Sequence, residues 1–129
     1  MKKSGDLALQ VTDSLNRENP FFASERSSVP FVFDGEIIVT ASTVNSMWNG
    51  IVEGGFTIQN PVITSIDPIE EGDYQVFRNS WEMDVFFRNK MPRYAYRVSI
   101  SGIEGNLILL IYRNQERGYS IIGLKAGTE

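Results

Sequence analysis

The sequence predicts an α+β fold, with N-terminal helices and a central helix packed on a curved antiparallel sheet. Three observations carry that prediction. Asp34-Gly35 stands between the apolar runs Phe31-Val32-Phe33 and Glu36-Ile37-Ile38-Val39, a strong short hairpin signal because both turn residues tolerate positive φ. Val44, Met47, Trp48, Ile51 and Val52 fall at i, i+3, i+4, i+7 and i+8, which puts them in one core-facing helical stripe. The last third of the chain carries three strand patterns joined by short loops, which is a meander.

Taken in order, Leu7, Val11 and Leu15 recur at every fourth position with Ala8 beside them, so a first helix is expected from Asp6 to Asn16, capped by Ser4 or Asp6. Asn19-Pro20 starts a second, short helix leading into Phe21-Phe22, and Ser27-Ser28-Val29-Pro30 breaks it. After the hairpin, Ser42 is the expected cap of the central helix, which Gly54-Gly55 closes. Phe56 to Ile66 reads as a long strand with an irregularity at Asn60-Pro61, since proline cannot donate to a ladder and belongs at an edge or bulge. Glu70-Glu71-Gly72-Asp73 is a turn. Residues 74 to 91 fit a helix through Tyr74, Phe77, Trp81 and Val85, although Trp81, Met83, Val85 and Phe87 also alternate as in a strand; Pro92 then supplies a helix stop. The meander comprises Tyr94 to Ser101, Leu107 to Arg113 and Tyr119 to Lys125. No repeat or linker divides the chain, and all 129 residues are read as one domain, long enough to bury roughly two-thirds of the unfolded surface.

The chain has no cysteine and no histidine, which removes disulfides, thiolate chemistry, the commonest zinc ligands and the usual general base. No metal and no cofactor is expected, and any catalysis falls to carboxylates, tyrosines, lysines or hydroxyls. Met1-Lys2-Lys3 is followed by Ser4-Gly5-Asp6 where a leader would need an apolar core, and no run is long enough to span a bilayer. The chain therefore reads as cytoplasmic, with no membrane association. The net charge of −4 is unevenly spread: residues 1 to 73 hold 11 acidic and 4 basic side chains, and residues 74 to 129 hold 5 acidic and 8 basic. An acidic total speaks against nucleic acid as a partner.

Paired opening helices at Leu7 to Ser24, the strand and turn Pro30-Phe31-Val32-Phe33-Asp34-Gly35, a helix from Val44 to Val52 and wrapping strands from Tyr94 to Lys125 together resemble the nuclear transport factor two-like superfamily, which includes ketosteroid isomerase and SnoaL-like cyclases. The resemblance is one of topology and spans most of the chain. It implies a cystatin-like cone in which the sheet and helices enclose a cavity. The ketosteroid isomerase pattern places a tyrosine and two aspartates there, and the opening helices of this chain contain no tyrosine.

With such a cavity in view, Phe33, Trp48, Phe56, Phe77, Trp81 and Tyr96 are candidates to line it around a small apolar ligand, against the plainer alternative that they pack the core. Arg88, Lys90, Arg93 and Arg97, interleaved with aromatics and free of acids from Val85 to Ile103, are candidates to meet an anion or an acidic protein, with Arg93 and Arg97 at the rim; the alternative is a solvated face. Asp67, Glu70, Glu71 and Asp73 match no cation-binding loop and read as a solvated turn. For catalysis the acids to consider are Asp34, Asp67, Glu82 and Asp84, with Tyr74 or Tyr96 as hydrogen-bond donor. Turn formation explains the first two more economically, and Glu82 and Asp84 project to different sides of a helix.

The reading that follows is a non-catalytic binding or interaction module, using a conical apolar cavity or a sheet face for a small apolar or anionic ligand or for a protein. The alternative is a metal-free SnoaL-like isomerase or dehydratase working through a carboxylate and a tyrosine. Leu107-Ile108-Leu109-Leu110-Ile111 is apolar on both faces, unlike a strand with one wet side. Something must cover its second face, and a homodimer joined through Ile108, Leu110, Ile122 and Leu124 is the expected solution.

Overall fold

In the computed structural model, which describes residues 2–92, 94–114 and 118–127, the chain runs through two helices, a hairpin, a helix, a strand, a helical insertion and three strands. Helix α1 (Lys2–Asn16) starts before the expected cap and takes Ser4 into its buried side. Leu7, Ala8, Val11 and Leu15 form its core stripe as the spacing requires. Thr12 and Ser14 are buried too; each returns its hydroxyl to the preceding turn, at Ala8 O (3.0 Å) and Val11 O (2.8 Å), which satisfies the polar group without a partner elsewhere. At the end of α1 the Asn16 side chain clasps the backbone of Ile58, donating to its carbonyl (2.7 Å) and accepting from its N–H (2.9 Å).

Helix α2 (Phe21–Glu25) is short, and the Asn19 side chain accepts the Phe21 N–H at 3.1 Å. Strands β1 (Ser27–Phe33) and β2 (Glu36–Ile38) make the hairpin, pairing Phe31 with Ile38 and Phe33 with Glu36 around Asp34 at φ +52°. β1 thus begins within the stretch expected to be only a break. Helix α3 (Ala41–Glu53) is capped by Thr40 rather than Ser42: the Thr40 hydroxyl oxygen lies 3.4 Å from the Thr43 N–H it accepts. Val44 and Trp48 are its buried residues, and Gly55 at φ +77° follows its end. Strand β3 (Gln59–Pro68) lies at the sheet edge, with Asn60 at φ +52° and a register slip between Gln59 and Val62 where the Asn60-Pro61 irregularity is expected.

A 3-10 turn at Glu71–Asp73 leads into α4 (Tyr74–Phe77) and α5 (Trp81–Asn89). The single helix expected over 74–91 is therefore two, because Arg78 to Ser80 leave helical conformation and Ser80 recaps the chain, accepting the Met83 N–H at 3.2 Å. The break resets the helical phase. Phe77, Met83, Phe86 and Phe87 are buried, whereas Trp81, in the first turn of α5, is 76% exposed. Strands β4 (Ala95–Ile103), β5 (Gly105–Asn114) and β6 (Gly118–Gly127) form the expected antiparallel meander.

The sheet order is β2-β1-β6-β5-β4-β3, open at β2 and β3. It is mixed rather than wholly antiparallel, because β1 lies parallel to β6. One face packs against α1, α2 and α3 through Phe31, Val98, Ile100, Leu107, Leu109, Ile111, Ile121 and Leu124. The other face, with Val32, Ala95, Leu110 and Ile122, is covered by Phe77, Met83, Phe86 and Phe87 of the α4–α5 insertion. The two-faced apolarity of β5 is thus met within the chain, and the second face needs no sheet-to-sheet homodimer to cover it. The expected patch was also not one face. Leu110 pairs with Gly123 and Ile111 with Ile121, so Ile122 is the extra residue of a bulge and Leu124 returns to the opposite side. Among the described residues, no helix is long and apolar enough to cross a membrane.

Candidate functional site

β1 meets β6 at Ser27↔Ile121 and next at Val32↔Gly123, so residues 28–31 stand opposite the single residue Ile122. A strand cannot keep its ladder across such a mismatch, and β1 bows away from its neighbour. The bowed stretch borders a groove with two branches that share Ser28, Val29 and Tyr112. The larger, about 360 Å³, continues toward α2 and α3 past Ser24, Ser27, Val44 and Asn45. The smaller, about 170 Å³, continues toward α5 past Pro30, Phe86, Lys90, Pro92 and Ile122. Residues of α3, from the helical layer on one face of the sheet, and of α5, from the insertion on the other, thus line the two branches of one groove.

The larger branch has a polar floor tied into the core. The Trp48 indole N–H donates to Ser27 Oγ (2.9 Å), and the Ser27 hydroxyl donates to the Ala23 carbonyl (2.8 Å). Beside it, the Ser24 hydroxyl donates to Asn45 Oδ1. Three hydroxyl side chains and one amide line this branch with Val29, Val44, Ala41 and the Tyr112 ring, a mixture suited to a ligand with one hydrogen-bonding end and an apolar body. Among the described residues lining either branch, Lys90 is the only one with a charged side chain.

Of the described residues singled out from the sequence for ligand binding or catalysis, Lys90 alone lines this groove. Trp48 has no exposed surface and packs edge-on to Phe31 (centroids 6.2 Å apart, 77° between planes), so it serves the core, and Phe33 and Phe56 pack beside that same core. Phe77 lies beyond the sheet in the second core and Trp81 faces solvent. Tyr96 is half-buried on β4, on the face of Val98 and Ile100 by strand alternation. Arg97, on the opposite face, is pinned by Asp73 (2.9 Å) and flanked by Asp67 (3.8 Å). Arg88 is held by Asp84 through two hydrogen bonds (3.1 and 3.2 Å). Arg93 lies outside the described residues. Two cations of the basic stretch are therefore spent on the protein's own acids.

The acids considered for catalysis are dispersed as well. Asp34 is exposed in the hairpin turn 3.6 Å from Lys125, Asp67 is exposed beside Arg97, and Asp84 is engaged with Arg88. Glu82 opens on a separate shallow cleft of about 300 Å³ with Glu36, Arg78 and Ser80, and both of its carboxylates are exposed. Tyr74 packs against the second core and joins none of them. Asp73, of the acidic turn, accepts the Glu70 N–H at 2.8 Å in addition to its arginine.

Sequence reasoning missed Ser24, Ser27, Ser28, Val29, Asn45 and Tyr112. The available signal was Ser27-Ser28-Val29-Pro30 itself, since a serine pair and a proline abutting a strong strand mark a place where pairing fails. No protein-family model matches this chain, and no curated protein matches it.

Proposed function

We propose that the chain is a small-ligand-binding module of the nuclear transport factor two-like superfamily, and that it holds its ligand in the groove beside the β1 bulge. Two opening helices, a hairpin, a third helix behind the sheet and a terminal meander support the superfamily reading. The helical insertion between β3 and β4 is this chain's own elaboration of that plan. The observation that carries the binding reading is the bulge: it leaves a concave site lined by Ser24, Ser27, Ser28 and Asn45 against apolar walls. The interior side of the sheet is occupied by Trp48, Phe31 and their neighbours, so the ligand site of this chain is displaced from the centre of the cone to its end.

The two tryptophans provide the test. The Trp48 indole N–H is bonded to Ser27, a wall of the groove, whereas the Trp81 indole is exposed on α5. In a fragment screen followed by two-dimensional NMR, a groove ligand should move the Trp48 indole resonance in a saturable way and leave that of Trp81 in place. A screen in which no fragment moves Trp48, or in which both indoles move together, would overturn the reading.

A further inference from the structure

We infer that the ligand is a small organic monoanion, an apolar acid whose carboxylate is met by Lys90 while its body lies along the smaller branch of the groove. This deepens the groove reading and rests on it. Val29, Pro30, Phe86, Pro92 and Ile122 make the walls of that branch almost wholly apolar. Lys90, one helical turn after Phe86, stands at the same cleft on the same side of α5. Phe86 is buried as a wall and Lys90 is exposed as a mouth. Its ammonium has no ion-pair or hydrogen-bond partner among the described residues, in contrast to Arg88 and Arg97 nearby in sequence.

The chemistry follows from that pairing of walls and charge. A phosphate or sulfate needs donors on several sides, and apolar walls would leave most of its oxygens unpaired at a desolvation cost. A neutral apolar molecule would use the walls and gain nothing from the lysine. A carboxylate on an apolar body uses both, with Ser28 at the junction of the branches placed to donate a second hydrogen bond. A lysine at a helix C-terminus also complements the helix dipole without any ligand, and that role makes no distinction between an acid and its amide.

Hexanoate, hexanamide and inorganic phosphate are the probes, titrated into the full chain and followed on the Val29 methyl resonances, which border both branches. Hexanoate is expected to bind tighter than hexanamide. Lys90→Gln should weaken hexanoate by about fivefold, the scale of one partly exposed ion pair, and leave hexanamide unchanged. Retained hexanamide binding also shows that the variant is folded. Equal affinities for acid and amide, or an indifferent Lys90→Gln, would overturn the anion assignment and leave the groove reading standing. Phosphate matching hexanoate would overturn the apolar body. Failure of both hexanoate and hexanamide to move Val29 would remove this inference, and if Trp48 also stays still under every fragment the groove reading falls with it.

Discussion

Trp48 offers the sharpest test of how the core is built. It is fully buried, sits edge-on to Phe31, and donates its indole N–H to Ser27. Truncating it to alanine removes the largest side chain of the core and should cost about 3 to 5 kcal/mol, a large share of the roughly 5 to 15 kcal/mol expected for a domain of this kind. The hydrogen bond can be separated from the volume. Ser27→Ala strands a buried indole N–H, for which about 1 to 3 kcal/mol is expected. The Ala23 carbonyl does not add to that cost, since it also accepts the Arg26 N–H at 3.2 Å. Trp48→Phe removes the donor while keeping a ring against Phe31. Combining it with Ser27→Ala should be less damaging than the two separate losses added, by about 1 kcal/mol, because no unpaired partner is left behind. Urea unfolding followed by far-UV circular dichroism gives all four values, provided the slope with denaturant stays constant. A loss below about 1 kcal/mol for Trp48→Ala, within the range of a surface change, would refute the placement of this residue. Strict additivity in the cycle would refute the hydrogen bond.

The covered second face makes its own prediction. Phe87→Asp should lift α5 and bare Leu110 and Ile122, giving dye binding and association in light scattering, and scattering that stays at the 14.6 kDa monomer mass would mean that α5 is not the cover. Two glycines should respond oppositely to alanine in thermal or urea unfolding. A Cβ on Gly102 would come within 2.5 Å of the Gln59 carbonyl and an Ile58 methyl, so Gly102→Ala should cost about 1 to 3 kcal/mol, whereas Gly50, inside α3 with nothing within 4 Å, should gain about 0.5 to 1 kcal/mol; effects of the same sign would contradict the packing of β4 against the start of β3.

Much of the fold was legible because its signals are local. The stripe of Val44 and Trp48, the Asp34-Gly35 turn and the apolar runs of the last three strands between their short loops each involve neighbours within one or two turns, and each element forms where its pattern lies. What failed was non-local or decided by a single cap. Tyr74, Phe77, Trp81 and Val85 keep helical spacing, yet Ser80 caps a new helix by accepting the Met83 N–H instead of extending the old one, and the phase is lost. Periodicity cannot register a break that costs only three residues. The parallel pairing of β1 with β6 joins residues some ninety positions apart, and nothing in either strand's own pattern specifies the direction of its neighbour.

The apolarity of β5 shows how a correct inference can acquire a wrong object. Leu110 and Ile108 do require cover, as their sequence implies. A chain can provide it from itself whenever an insertion crosses the sheet, and α4–α5, read as an extra helix of no assigned place, is that insertion. The groove was harder to see for a related reason. Its lining joins Ser28 to Tyr112 and Lys90 through a register mismatch between two strands; Ser28 and Tyr112 are neither rare nor spaced in a motif, and Lys90 stands in the basic run with nothing local to set it apart from its neighbours. Clusters that are conspicuous in sequence, such as Arg88 to Arg97, are instead partly consumed by Asp84, Asp67 and Asp73 once the chain is folded. A charge run reports where cations are concentrated, whereas a binding site needs a cation left over. Among the described residues of the run, Arg88 and Arg97 are paired with the protein's own acids, and Lys90 meets that condition.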